Sequence, residues 1–400
     1  MFPSHLLSLP LACSTLQWPS PFIKSEHRRL QPSASCFEPR TPMPRLNLSP
    51  REFPLSPSYK KRAPILVSSK NSSQGEATAP VEDCADQESG SAILVTRLAN
   101  MLNIAYRLIG PNVVKGTVTG FTAVVARTWM ENSHLVMSSN WTLLLRTLAG
   151  LSIFLGITLF IAPVNHISDA NIDKINYPDR PIASGKVSIK SAWIIVISSV
   201  IYSITTATLL NSKWVLPLVV YNLVLGAMYS IRPFYLKKRI VGAIFTCASL
   251  QGYAQVLLQL AAARSTLGLQ LQITPPAVFM VIVTTLFGMT FGIMKDLPDV
   301  EGDTKYNVRT LASVLGGSKL LILGCGILFL TYAGCVVAAI RMPQVFRQGV
   351  MIPAHILMAC CLGFQARKLH KANYTKVASK SFYLFLWNLF SAEYLLFPFI

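Results

Sequence analysis

The chain has 400 residues, 52% of them hydrophobic and 13% charged, with a mean hydropathy of +0.46. Soluble domains carry roughly a quarter charged residues, so a soluble enzyme, a disordered chain and a fibre are all excluded. The net charge of +19 is not gathered on a polar domain with interleaved aromatics, which argues against a nucleic-acid partner. It sits in short loops between apolar runs, the pattern of a polytopic protein embedded in a lipid bilayer.

The chain opens with a polar arm. Residues 1–80 hold ten Lys/Arg against four acids and are rich in Ser and Pro. The apolar stretch at 6–14 is too short to span a bilayer and is interrupted by Pro10. A Ser- and Arg-rich, acid-poor leader reads as an organelle transit peptide, and its Pro-rich character with little amphipathic helix favours the chloroplast. The expected organisation is a plastid transit peptide and disordered linker over 1–75, a polar acidic linker over 76–95, and a membrane domain over 96–400.

A hydrocarbon core of about 30 Å needs about 20 apolar residues per helix. On that basis the expected spans are 109–130, 143–165, 191–210, 214–231, 240–262, 275–294, 320–340, 349–366 and 381–399, an all-α protein of nine transmembrane helices. Loops after even-numbered spans carry 17 Lys/Arg, and loops after odd-numbered spans six when Arg127 and Arg146 in the adjoining span ends are counted. The positive-inside rule then places the N-terminus and the even loops on the cytoplasm-equivalent side, the stroma in a plastid. The eight cysteines show no C-x-x-C spacing, and those inside the spans read as small packing residues.

The acids carry the chemistry. Residues 91–400 contain nine, and seven of these fall in two stretches, Asp169 to Asp179 and Asp296 to Asp303, both after even-numbered spans. Asn165, Asp169 and Asp173 are spaced i, i+4, i+8, and Asp296, Asp299 and Asp303 are spaced i, i+3, i+7, each set predicting one helical face. Pro298 is expected to bend or begin the second helix. Like carboxylates stacked at a membrane boundary repel and call for a cation. Oxygen donors of this kind suit Mg²⁺, which binds one or two carboxylates together with substrate phosphates. A metal so placed would neutralise a diphosphate leaving group. Arg180 inside the first stretch, Lys237 and Lys238 after the fourth span, and Lys295 beside Asp296 are candidate partners for the phosphate oxygens. Helix-end carboxylates paired with nearby lysines are the plainer alternative for either stretch taken alone.

These residues resemble the UbiA superfamily of intramembrane prenyltransferases. The pattern N-x3-D-x3-D at 165–173, RPIASG at 180–185 and D-x2-D-x3-D at 296–303 carry the likeness. KDLPDVEGD at 295–303, RMPQVFRQGVMIPAH at 341–355, KANYTK at 371–376 and WNLFSAEYLLFPF at 387–399 are similar to the homogentisate solanesyltransferase group of plants, over about residues 95–400. The resemblance implies a nine-helix bundle with a central cavity, in which Mg²⁺ ionises a polyprenyl diphosphate and the allylic cation alkylates a phenolic acceptor. Asn165, Asp169, Asp173, Asp296, Asp299 and Asp303 would then hold metal and diphosphate, with Asp169, Asp173, Asp296 and Asp299 central to catalysis. Arg180 and Lys237 or Lys238 would be phosphate partners.

The chain departs from that group at His166 and Ser168, over Asn176–Pro181, and at Arg232 and Tyr235. His166 is therefore a candidate acceptor contact. Two acceptor classes stay open: homogentisate with a solanesyl donor and decarboxylation, as in plastoquinone synthesis, or another plant phenol with a shorter donor, dimethylallyl to farnesyl. An ion transporter, the alternative outside enzymes, would place acids in mid-span or on both sides. A CDP-alcohol phosphotransferase would carry a D-G-x2-A-R motif, which is absent.

Overall fold

A computed structural model describes residues 90–137, 141–300 and 310–400. The leader assigned to 1–75 and Asp303 of the second acidic stretch lie outside the described residues. Among the described residues every regular element is helical.

Helix α1 (Gly90–Ile109) meets α2 (Pro111–Glu131) at 90°. Gly110 makes the corner with φ 95°, and Pro111, whose fixed φ suits a first helical position, starts α2. Helix α1 begins within the stretch read as linker, because the acidic run ends at Glu88 and the apolar sequence AILV follows at 92–95. After the short α3 (Ser133–Met137) come α4 (Trp141–Ser168), α5 (Ala170–Asn176), α6 (Ile189–Leu209) and α7 (Val215–Ser230). Next is α8, running over Ile240–Thr266 with a break at Ser249–Tyr253, and then α9 (Pro275–Met294). The chain closes with α10 (Leu311–Arg341), α11 (Gln348–Lys371) and α12 (Lys376–Leu396).

Seven of these helices are long and apolar enough to cross a bilayer, and the bent α1–α2 pair makes an eighth. Helix α7 is apolar but has 16 residues, and it occupies the place of the expected fourth span. The nine expected positions thus coincide with helices, three of them departing from a straight full-length span: the bent first, the short fourth and the broken fifth.

The outward faces are apolar. Ile194, Ile197 and Ile201 on α6 and Leu330 and Val337 on α10 are exposed, as residues meeting lipid tails are. Inside, α4 packs on α6 and α8, and α2 packs on α12. Helices α8 and α9 cross so closely that a Cβ on Gly288 would stand 2.6 Å from the Cys247 carbonyl oxygen, and one on Gly252 2.4 Å from Thr285 Cα. Phe291 stacks on Trp387 at 4.6 Å between ring centres and ties α9 to α12. These contacts bring the ends of α4, α7 and α9 and the start of α8 together around one cavity.

Candidate active site

That cavity has a volume of about 370 Å³. Asn165, His166, Asp169, Asp173, Arg180, Lys237, Lys238, Lys295, Asp296 and Asp299 all line it. Residues up to 134 positions apart in sequence are therefore gathered at one end of the bundle. Asp303 lies outside the described residues.

The first acidic set keeps its helical register across a small break. The backbone N–H of Asp169 donates to the Asn165 carbonyl at 3.0 Å, and that of Asp173 to the Asp169 carbonyl at 2.8 Å. Asp169 itself, at φ −106° and ψ 10°, is the hinge between α4 and α5. The second set is not an α-helix. Pro298 sits in a single 3₁₀ turn, Leu297–Asp299, so Asp296 and Asp299 are held by a tight turn rather than by the helical face that their spacing predicted.

Each set is met by cations. Lys237 Nζ lies 2.7 Å from Asp169 Oδ1 and donates to Asn165 Oδ1 at 2.9 Å and to the Ser168 hydroxyl. Arg180 Nη1 lies 2.6 Å from Asp173 Oδ1, and the guanidinium covers the Tyr177 ring at 4.0 Å. Lys295 pairs with its neighbour Asp296. Lys238 is exposed at the rim, its ammonium 5.2 Å from the centre of the Tyr235 ring.

Burial shapes the acidities. Desolvation raises the Asp173 carboxyl above its ordinary value, against the opposing hydrogen bond and charge of Arg180. Desolvation likewise lowers the Lys237 ammonium, against the carboxylate of Asp169. The Tyr177 hydroxyl is pushed strongly upward, by burial first and then by the Asp299 charge, so it stays protonated as a donor to Asp299.

Several lining residues escaped the sequence reading. Tyr177, Tyr229, Tyr235, Tyr383 and Trp387 give the polar cavity aromatic walls. Tyr177 and Tyr235 lie beside charged motifs and were within reach of inspection. Tyr383 and Trp387 come from the last helix, and only its packing on α9 places them here.

The donor set leaves oxygens bare for a metal. Asp173 Oδ2, Asp299 Oδ1 and Asn176 Oδ1 are buried with no hydrogen-bond partner. Among the described residues no three His, Cys, Asp or Glu side chains are grouped closely enough to enclose an ion by themselves. Bare oxygen donors in two facing sets suit Mg²⁺, which takes few carboxylates and fills its shell with water and phosphate oxygens. The residues fit.

Comparison with known proteins gives the same picture. Residues 117–389 match the model of the UbiA prenyltransferase family. The homogentisate solanesyltransferase, chloroplastic, of Arabidopsis thaliana is 41% identical over 78% of this chain and 80% of its own length. A 2-acylphloroglucinol 4-prenyltransferase of Humulus lupulus is 35% identical over 81% of this chain and 77% of its own. Among solved structures, a UbiA homolog from Archaeoglobus fulgidus bound to GPP and Mg²⁺ superposes with a TM-score of 0.53 at 18% identity, covering 74% of this chain and 98% of that one. The last likeness concerns the fold.

Proposed function

The chain belongs to the UbiA prenyltransferase family, and we propose that it is a Mg²⁺-dependent enzyme that transfers a solanesyl group from its diphosphate to homogentisate in a plastid membrane. The observation that carries this reading is the single cavity in which two acidic sets and three ion-paired cations face one another beside aromatic walls.

Asn165, Asp169, Asp173, Asp296 and Asp299 would hold Mg²⁺, with Asp303 as the matching position of the second motif. Bound there, Mg²⁺ neutralises the charge that builds on a departing diphosphate. The remaining work falls to the chain. Arg180, Lys237 and Lys295 lie within reach of the same oxygens and orient the diphosphate, Arg180 as a planar fork and the lysines as point charges. Lys238 at the rim attracts the anion from water. The faces of Tyr229 and Tyr383 stabilise positive charge developing on the allylic carbon, worth about 0.5–2 kcal/mol for each ring that meets it. His166 lines the cavity and is a candidate contact for the acceptor. The allylic C–O bond breaks as a bond to a ring carbon forms, and that carbon gives up its proton. The acetate arm loses CO₂ and takes up a proton to become a methyl group.

The test is an assay of membranes containing the full chain with Mg²⁺, crossing dimethylallyl, geranyl, farnesyl, geranylgeranyl and solanesyl diphosphates with homogentisate and a panel of plant phenols. Decarboxylated prenyl product from homogentisate, formed best with the solanesyl donor, is the expected result. Product only from another phenol, or only with a short donor, would replace this reading by the second one. That reading, a phenolic prenyltransferase of specialised metabolism, draws on the acylphloroglucinol-prenylating relative of Humulus lupulus. EDTA-insensitive ion flux without product would point instead to a transporter.

The proposed location rests on the Ser- and Arg-rich residues 1–75 as a cleaved plastid transit peptide, followed by the acidic linker, and on the chloroplastic relative.

A further inference from the structure

Past Val113, Ile161 and Trp387 the catalytic cavity continues into a second chamber of about 140 Å³. It lies deeper in the bundle, between α2, α4, α7, α8 and α12, where an apolar lining is the expectation. Instead four neutral amides face it: Asn222, Gln251, Gln255 and Gln259. No charged side chain does.

Two of the amides are sealed in and incompletely bonded. Asn222 and Gln259 are each 1% exposed. Asn222 Nδ2 donates to the Leu218 carbonyl at 2.7 Å, and because a carbonyl only accepts, Oδ1 is the atom left to the chamber. It has no partner, and neither has Gln259 Oε1. The Gln259 amide nitrogen is packed over Gly120 of α2, on the side away from that oxygen. The Tyr394 hydroxyl, also on the chamber wall and also without a partner, stands beside Gln259 as a donor, while Asn222 Oδ1 stays costly unless something that enters the chamber supplies a hydrogen.

The shape and chemistry narrow the choice of occupant. A prenyl chain has no hydrogen-bond donor and would leave the Asn222 oxygen bare. A cavity of about 150 Å³ holds a ring the size of benzene, which matches this chamber and is far short of a long polyprenyl tail. Trp387 and Phe390 supply aromatic faces to such a ring.

We propose that the chamber binds the aromatic ring of the acceptor, with Asn222 and Gln259 accepting hydrogen bonds from its phenolic hydroxyls. The inference rests on the aromatic-acceptor reading above and deepens it.

The test is a thermodynamic cycle between ring hydroxyls and amides, using the full chain in nanodiscs. Binding of homogentisate, 2-hydroxyphenylacetate and 3-hydroxyphenylacetate is titrated calorimetrically against wild type, Asn222→Leu and Gln259→Leu. Losing one hydroxyl should weaken binding to the wild type about tenfold, the size of one ordinary hydrogen bond. In the variant lacking that hydroxyl's amide the same deletion should cost less than twofold. KM for the donor should stay within twofold. Gln259→Met, closer in shape, repeats the measurement if the leucine variant does not fold. Equal losses in wild type and variants would overturn the proposal. So would a changed preference for donor chain length with unchanged acceptor affinity, since the chamber would then hold the tail. The acceptor reading fails separately: a wild type that ignores homogentisate but binds an acylphloroglucinol removes homogentisate alone, and methyl ethers of that ring then run the same cycle. If neither ring binds, both fall.

Discussion

Asp169, Asp173 and Asp299 differ in what holds them, and their substitutions should differ accordingly. Asp169→Ala leaves Lys237 without its carboxylate, and Asp299→Ala removes the partner of Tyr177. Each should lower prenyl transfer by at least about 100-fold, the usual scale for one preorganised electrostatic contact, in a turnover assay titrated with Mg²⁺. Near wild-type turnover in either variant would refute the two-set metal site. Asp173 adds a pH dependence. Its carboxyl is raised by burial, so it takes up a proton at a higher pH than an ordinary aspartate near 3.9. The protonated acid is a poor metal donor, so activity should fall on the acid side along a limb lying above the ordinary carboxylate range. Because Mg²⁺ and the proton compete for the same oxygens, more Mg²⁺ should move that limb to lower pH. A limb indifferent to Mg²⁺ would assign it to another group. Ten of the eleven site residues named from sequence line one cavity, and the reason is charge: acids are so scarce in this body that their positions stand out. The aromatic walls and the amides did not stand out, since Tyr383 or Gln259 differs from any other membrane residue only once the neighbouring helix is placed against it.

At the scale of elements, the α8–α9 crossing positions half of the site. Lys237 and Lys238 precede α8, Lys295 and Asp296 follow α9, and Gly288 and Gly292 form the contact between the helices. The spacing G-x3-G at 288–292 is a packing signal in membrane helices, and it was legible in the sequence, although its partner helix was not. Gly288→Ala would drive a methyl group into the Cys247 carbonyl and should destabilise the protein by about 1–3 kcal/mol. Gly326→Ala, on α10 where a Cβ meets nothing within 4 Å, should leave stability unchanged or raise it by up to about 1 kcal/mol. Thermal unfolding of the two variants in detergent, side by side, checks the contrast, and equal melting temperatures would show that the crossing yields more easily than its geometry suggests. The same scale explains what span prediction handled less well. Hydropathy locates apolar runs, but the 90° corner at Gly110 and the broken turn at Ser249–Tyr253 depend on backbone angles that a hydropathy window does not register.

For the whole molecule, the positive loops and both acidic sets share one end of the bundle, so activity and targeting should separate cleanly. A chain lacking residues 1–70 should keep its turnover in microsomal membranes and lose import into isolated plastids; import of the shortened chain would refute the transit-peptide assignment. A one-ended cavity also has a consequence for the fate of its products. Its mouth is ionic and its depth uncharged, so the two molecules released by a transfer belong to different phases: diphosphate partitions into water and the prenylated ring into lipid. Reversal would require both to return across that boundary to the same few ångströms at once. Directionality is thus reinforced by where the cavity sits as well as by the energy of the bond broken.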